Sequence, residues 1–167
     1  MIQPVIEFTT EFLKDKHFVK VLEVGSRSVA GTIKPTFEDK CDEYIGLDLI
    51  AGANVDIIAD AEDLPDYFLN ETFDCVVCVE TLEHTKNPIK IVENMRNVLK
   101  SGGWMLITTP CTGHPYHGWP DDYYRFFESV YRDVFFKDFV NCHFETKTWL
   151  GNNPAFPDAV LGYGRKP

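Results

Sequence analysis

The sequence predicts an α/β fold built from parallel βαβ units. Segments patterned like strands alternate with segments of helical period, which is the signature of such units. The residues directly after the strand-like segments are acids, glycines and histidines, as expected where ligands bind beyond the carboxyl ends of an open parallel sheet. The 167 residues, 44% hydrophobic and 14% aromatic, suit one domain over residues 1–167 with a sizeable core.

The elements follow in order. Residues Pro4 to Lys16 put Val5, Phe8, Phe12 and Leu13 at helical spacing, which predicts an opening helix. Phe18 to Val24 is the first strand, "EYIGLDL" the second and "VDII" a short third. "FDCVVCVE" is the fourth strand, "PIKIVENMRNVLKSGG" a helix closed by its glycines, and "WMLITTP" a fifth strand stopped by proline. Residues 121–136, "DDYYRFFESVYRDVFF", carry a helical period, with Pro120, Asp121 and Asp122 as a helix start and Tyr124, Phe127, Tyr131 and Val134 at core spacing. Two β-like stretches, "VNCHFETKTWL" and "AVLGYGRK", close the chain as a hairpin across Gly151 to Asp158.

Composition excludes several classes of function. The formal charge of −10 opposes a broad phosphate-binding surface, so a small substrate is expected rather than nucleic acid. No apolar run reaches the roughly 18 residues that span a bilayer, and "MIQPVIEFTTEFLKDK" carries acids and lysines where a secretory signal is apolar. A cytoplasmic location without membrane partners is the expectation. Five cysteines fit reduced thiols, and the pair Cys75 and Cys78 lies in a buried strand pattern with no second pair to complete a zinc site. Core packing is therefore expected of them, and no metal is expected.

"VLEVGSRSVAG" runs from a strand into a glycine turn shaped to hold a ligand. Two ligands are open, a dinucleotide and S-adenosylmethionine. A dinucleotide fingerprint needs a second glycine to admit the pyrophosphate, and that position is Arg27. A ligand without phosphates requires one close backbone approach, at Gly25, which favours S-adenosylmethionine.

At this point the chain resembles the class I S-adenosylmethionine-dependent methyltransferases, from about Lys20 to its end. "VLEVGSRS" is similar to motif I, "YIGLDL" to the second strand, "ADAEDLP" to the adenine-side turn, and "FDCVVCVETLEH" with "NMRNVLKSGGWMLITTP" to the fourth and fifth strand blocks. "HGWPDDYYRF" is similar to a His-x-x-Pro-x-Asp-Tyr-Tyr-Arg-Phe segment of one bacterial subset. Arg27 and Val29 depart from the family pattern, standing where it has its second and third glycines. The resemblance implies a Rossmann-like, mostly parallel seven-stranded sheet in the order 3-2-1-4-5-7-6 with an antiparallel last strand, and methyl transfer to oxygen or nitrogen of a small molecule. Alternatives are an NAD(P)-dependent oxidoreductase and a catalytically silent S-adenosylmethionine-binding partner subunit.

The resemblance implies cofactor contacts from Glu23, Gly25, Ser26, Arg27, Asp48, Leu49, Asp60, Ala61, Glu62 and Glu80. Asp48 follows the glycine turn at about the 20-residue spacing of a ribose-binding acid. Asp60 reads either as an adenine ligand or as a helix N-cap, and Glu23 as a binding or a structural acid. His84 either lines the site or closes a turn. His84, His114, Trp119, Tyr123 and Tyr124 are candidate acceptor contacts. His117, Asp122 and Arg125 are candidate catalytic residues: His117 as base, Arg125 fixing a carboxylate or pairing with Asp122.

Overall fold

In the computed structural model, which describes residues 3–29, 31–118, 121–150 and 155–167, seven strands form one sheet in the order β3-β2-β1-β4-β5-β7-β6. The strands are β1 (Phe18–Val24), β2 (Cys41–Asp48), β3 (Ile57–Ile58), β4 (Phe73–Val79), β5 (Leu99–Pro110), β6 (Val140–Lys147) and β7 (Ala159–Arg165). The helices are α1 (Gln3–Leu13), α2 (Leu64–Tyr67), α3 (Pro88–Val98) and α4 (Glu128–Val130). β1 to β5 run parallel, and β7 is antiparallel to both β5 and β6.

Two apolar layers clothe this sheet. α1 buries Val5, Phe8, Phe12 and Leu13, the four residues its spacing singles out, against Val21, Cys75, Val77 and Leu161. α3 packs Ile91, Val92, Met95 and Val98 on the other face, with Leu22, Val76, Cys78 and Met105. Cys75 and Cys78 are free thiols buried on these opposite faces, as core packing requires. The central strands stop level: Val24 pairs with Leu47 and Cys78, and Cys78 with Ile107. The loops after β1, β2, β4 and β5 therefore start from one edge.

Two expected elements differ. The glycines after α3 do not close it: the helix ends at Val98, Leu99 already begins β5, and Gly102 and Gly103 lie inside the strand. The β4–β5 register jumps there, with Phe73 opposite Leu99 but Cys75 opposite Trp104. Gly102 has φ +79°, a conformation glycine adopts without strain.

The helix expected over 121–136 shrinks to α4 and one π-type turn, Tyr131–Phe135, closed by the Phe136 N–H on the Tyr131 carbonyl at 2.8 Å. Before Glu128 the backbone bonds outward. The Tyr123 N–H donates to the Glu83 carbonyl (2.7 Å) and the Phe126 N–H to that of Pro110 (3.0 Å). Those donors are not available to an i→i−4 ladder. Accordingly Phe126, Tyr131, Phe135 and Phe136 are buried, whereas Tyr124, Phe127 and Val134 remain exposed.

The β1–β2 connection holds a short 3₁₀ turn, Lys34–Phe37, and no α-helix among its described residues. Finally, no helix among the described residues is long and apolar enough to cross a membrane.

Tyr131 is fully buried, its hydroxyl shared with Thr109 Oγ1 (2.8 Å) and donated to the Val160 carbonyl (3.0 Å). Tyr131→Phe is expected to lower unfolding stability by about 1–3 kcal/mol in urea titrations, because Thr109 and Val160 lose a partner away from water.

Candidate active site

The loops at the carboxyl edge enclose a cleft of about 660 Å³. Of the residues expected from sequence, Glu23, Gly25, Ser26, Arg27, Asp48, Leu49, Asp60, Ala61, Glu62 and Glu80 line it, and so do His84, His114, His117 and Tyr123. Asp122, Tyr124 and Arg125 stand behind this lining, and Trp119 lies outside the described residues.

Asp48, at the end of β2, organises one side. Its Oδ2 accepts the Arg27 N–H (3.1 Å) and its Oδ1 the Ile50 N–H (3.0 Å). Each oxygen keeps a lone pair, so a held carboxylate can still accept two donors from a ligand. The Gly25 and Ser26 N–H groups both donate to the Leu47 carbonyl, at 2.8 and 3.1 Å. Gly25 has φ +77°, and a Cβ there would sit 2.1 Å from Thr81 Oγ1. Glycine is thus required by Thr81, in the turn after β4, a contact made without any ligand. Arg27 packs over Gly52, where a Cβ would meet its Cγ at 2.6 Å.

Asp60 caps the short turn Ala61–Asp63 by accepting the Glu62 N–H (2.9 Å), the structural alternative for this residue, and its other oxygen is unengaged by that cap. Glu62 accepts from Asn87 Nδ2 on both oxygens (2.8 and 3.0 Å) and from Lys90 Nζ at 3.5 Å, so its carboxylate ties the turn to α3. Leu49 and Ile50 expose apolar side chains beside Asp48.

Glu23 lies beneath them. Its Oε2 and the Tyr44 hydroxyl are buried with no hydrogen-bond partner, and burial first raises its carboxyl to about 7, against the weaker lowering effects of Tyr44 and Lys34.

The opposite wall is built from the end of β4 and the segment after β5. Arg125 grips both oxygens of Asp122, Nη1 on Oδ1 and Nη2 on Oδ2 at 2.6 Å. It also donates to the carbonyls of His114 (3.1 Å), Pro115 (2.8 Å) and Tyr124 (2.7 Å). Of the two roles considered for Arg125, pairing with Asp122 is the observed one. The guanidinium holds the Asp122 carboxyl well below the usual carboxylate range. Asp122 Oδ2 in turn accepts the His117 N–H (2.9 Å) and faces its Nδ1 at 3.2 Å.

His117 Nε2 lies 3.6 Å from Glu83 Oε1, and His84 Nε2 lies 3.5 Å from the same oxygen. His84 Nδ1 meets the Asp121 carbonyl. Glu83 is fully buried, and neither carboxylate oxygen has a hydrogen-bond partner. The Glu83 carboxylate raises the His117 ring above its usual value despite desolvation. Glu80 has φ +47° and accepts the Thr108 hydroxyl at 2.9 Å. Burial, then the Glu83 charge, lifts its carboxyl to about 8. Tyr123 turns its hydroxyl to Asp121 (2.9 Å), while Tyr124 donates to the Lys86 carbonyl (3.1 Å).

Sequence reasoning passed over Glu83 and Thr81. The signal for Glu83 was the spacing Glu80-x-x-Glu83-His84 directly after a buried strand, which gathers two carboxylates and an imidazole in one turn.

A cleft at the carboxyl ends of β1, β2 and β4 in a sheet of this order defines a Rossmann-like methyltransferase fold. Residues 2–142 match the family model described as a methyltransferase domain. The chain belongs to that family: it is an S-adenosylmethionine-dependent methyltransferase domain. An S-adenosylmethionine-dependent methyltransferase of Archaeoglobus fulgidus aligns over 98% of this chain and 92% of its own, with TM-score 0.75 and 12% identity. The N-methyltransferase NodS of Bradyrhizobium japonicum, solved with S-adenosylhomocysteine, aligns over 99% and 87%, with TM-score 0.70 and 15% identity. A ubiquinone biosynthesis O-methyltransferase of Paraburkholderia xenovorans is 47% identical over 38 residues, which is 23% of this chain and only 16% of that relative's length. The dinucleotide alternative is overturned by the family match, and the connection after β1 gives the reason: among its described residues no α-helix offers an N-terminus for a pyrophosphate.

Glu23 makes stability depend on pH with a defined sign. Between its ordinary 4.5 and about 7 the folded protein keeps a proton that the unfolded chain releases. The Glu23 contribution is therefore lost as pH rises through that window, by on the order of 3 kcal/mol, and Glu80, lifted to about 8, adds a fall of the same sign. Urea unfolding at pH 5 and pH 8 should show this fall in the wild type and a smaller one in Glu23→Gln.

Proposed function

We propose that this protein transfers the methyl group of S-adenosylmethionine to an oxygen or nitrogen of a small-molecule acceptor. The observation that carries the reading is the two-sided cleft: Asp48, anchored by backbone amides, on one wall, and His117, oriented through Asp122 and Arg125, on the other.

The residues present fit the cofactor. Asp48 offers two lone pairs to the paired hydroxyls of a ribose. The uncapped oxygen of Asp60 and the backbone of Ala61 and Glu62 suit an adenine, and the exposed Leu49 and Ile50 its faces. Glu23, Asp48, Asp60 and Glu80 make the lining predominantly acidic, which suits a cation. When bound, S-adenosylmethionine supplies a sulfonium methyl open to nucleophilic attack.

The chain's own residues align the acceptor and exclude water. The segment similar to that of the bacterial subset, from His117 onward, forms the acceptor wall, and Arg125 and Asp122 act as positioning residues that hold His117 toward Glu83. An acceptor hydroxyl loses its proton at the Glu83, His84 and His117 cluster. A relative described as an O-methyltransferase supports oxygen as the acceptor atom, and 660 Å³ is the size of an ordinary small-ligand site.

Asp48→Asn keeps the side-chain shape and is expected to weaken S-adenosylmethionine by about 1–3 kcal/mol in calorimetry with the fold intact. Wild-type affinity would remove Asp48 from the binding site. His117→Ala is expected to keep cofactor affinity while turnover against an acceptor panel falls about 100-fold or more. If cofactor affinity falls in parallel, this segment covers the donor instead, and full activity denies His117 any part.

A further inference from the structure

The Glu83, His84 and His117 cluster is more than an acceptor wall. Their ligand atoms all lie within 4.8 Å of one another. We propose that these three side chains hold a divalent transition-metal cation, with an open coordination position facing the cleft.

Three observations carry this. The first is the direction of the hydrogens. The Asp121 carbonyl can only accept, so His84 presents N–H at Nδ1 and a lone pair at Nε2. Asp122 is ionised, gripped by Arg125, and faces Nδ1 of His117, so that ring too directs its Nε2 lone pair inward. Both lone pairs point at Glu83 Oε1, at 3.5 and 3.6 Å. Three electron-rich atoms facing one another repel unless something positive sits among them. A proton on His117 alone would answer Glu83 from one side and leave the His84 Nε2 lone pair facing the same oxygen, and protons on both rings would create two imidazoliums with centroids 5.0 Å apart. One cation satisfies all three atoms at once.

The second is the burial of Glu83. Its carboxylate is fully buried, both oxygens lack hydrogen-bond partners, and among the described residues no lysine or arginine pairs with it. An ionised carboxylate is kept in such a place only by a partner.

The third is the spacing and the outer support. Ligands about 2.0–2.1 Å from a tetrahedral metal lie about 3.3–3.4 Å apart, close to the two separations observed. Ligating histidines almost always donate their second nitrogen to a carbonyl or carboxylate, which Asp121 and Asp122 supply here. Two imidazoles and one carboxylate select a transition metal such as Zn²⁺ or Co²⁺ over Mg²⁺ or Ca²⁺.

Resting on the methyltransferase reading, the open position would receive an acceptor hydroxyl. The cation lowers the pKa of that oxygen and its proton passes to water. The oxygen then forms a bond to the methyl carbon as the sulfur–methyl bond breaks, its electron pair returning to sulfur to give a neutral thioether. The acceptor class is thus an oxygen nucleophile, and His117 serves as a ligand rather than as the base.

The test is direct metal binding to full-length protein stripped with a chelator. Titration with Co²⁺ should give one ion per chain with visible ligand-field bands, displaced by Zn²⁺ and not by Mg²⁺. Glu83→Gln and His84→Ala should each weaken Co²⁺ binding by more than 100-fold, and Asp122→Asn by about 10–100-fold, with circular dichroism unchanged. Should Glu83→Gln fail to fold, His84→Ala decides. No stoichiometric uptake, equal affinity in the variants, or displacement by Mg²⁺ would overturn the site. Cobalt binding without S-adenosylmethionine binding leaves the metal site standing and sinks the methyltransferase reading; the converse sinks only the metal site.

Discussion

The bidentate pair between Arg125 and Asp122 is the constraint on which the wall of the cleft after β5 depends. The described residues from Cys111 to Phe127 contain neither strand nor α-helix. Giving so long a segment one conformation opposes roughly 1–2 kcal/mol of backbone entropy per residue. Arg125 spans it, reaching Asp122 and the carbonyls of His114, Pro115 and Tyr124. Because His117 hangs on the same Asp122 carboxylate by its N–H and Nδ1, the pair also sets which nitrogen faces Glu83. A pair of this kind adds little net stability against an apolar replacement, and specifying one arrangement is its better-attested use.

The wall formed by the loops after β1 and β2 solves a different problem. A turn that approaches a pyrophosphate needs several glycines because phosphate, helix and strand crowd one another. Here the described part of the connection after β1 holds no α-helix, so that crowding is absent and one glycine suffices. Gly25 is needed because Thr81 occupies the space of its side chain. Arg27, in place of the second glycine, packs over Gly52 and gives its N–H to Asp48, which couples the loop after β1 to the loop after β2.

The sheet was legible because its evidence is local. β1 was readable to the residue, and α1 showed its buried face in the spacing of Val5, Phe8, Phe12 and Leu13. The strand order is non-local and came from the resemblance to a family. Residues 121–127 misled for a physical reason: their pattern permits a helix, but the Glu83 and Pro110 carbonyls take the backbone donors. Such long-range competition leaves no mark on periodicity. Asp48 was readable because strand ends are predictable. Glu83 was passed over: the spacing Glu80-x-x-Glu83-His84 places it in the turn after a buried strand, but only the fold shows that water cannot reach it.

The unpartnered or destabilised carboxylates gather at one edge. Glu23 and Glu83 have buried oxygens without hydrogen bonds, and Glu80 is lifted to about 8 by burial and by Glu83. Structural acids in a core would be expected to carry their own partners, as Asp122 does with Arg125. Acids that lack them, next to a cleft, are tolerated when the missing partner is a ligand, because binding then satisfies a charge that folding left exposed to no solvent. The ligand complementary to such an edge is positive. The proposed sulfonium cofactor would meet that requirement on the Glu23 side, and the proposed divalent cation at Glu83, which the Nε2 atoms of two histidines approach at 3.5 and 3.6 Å.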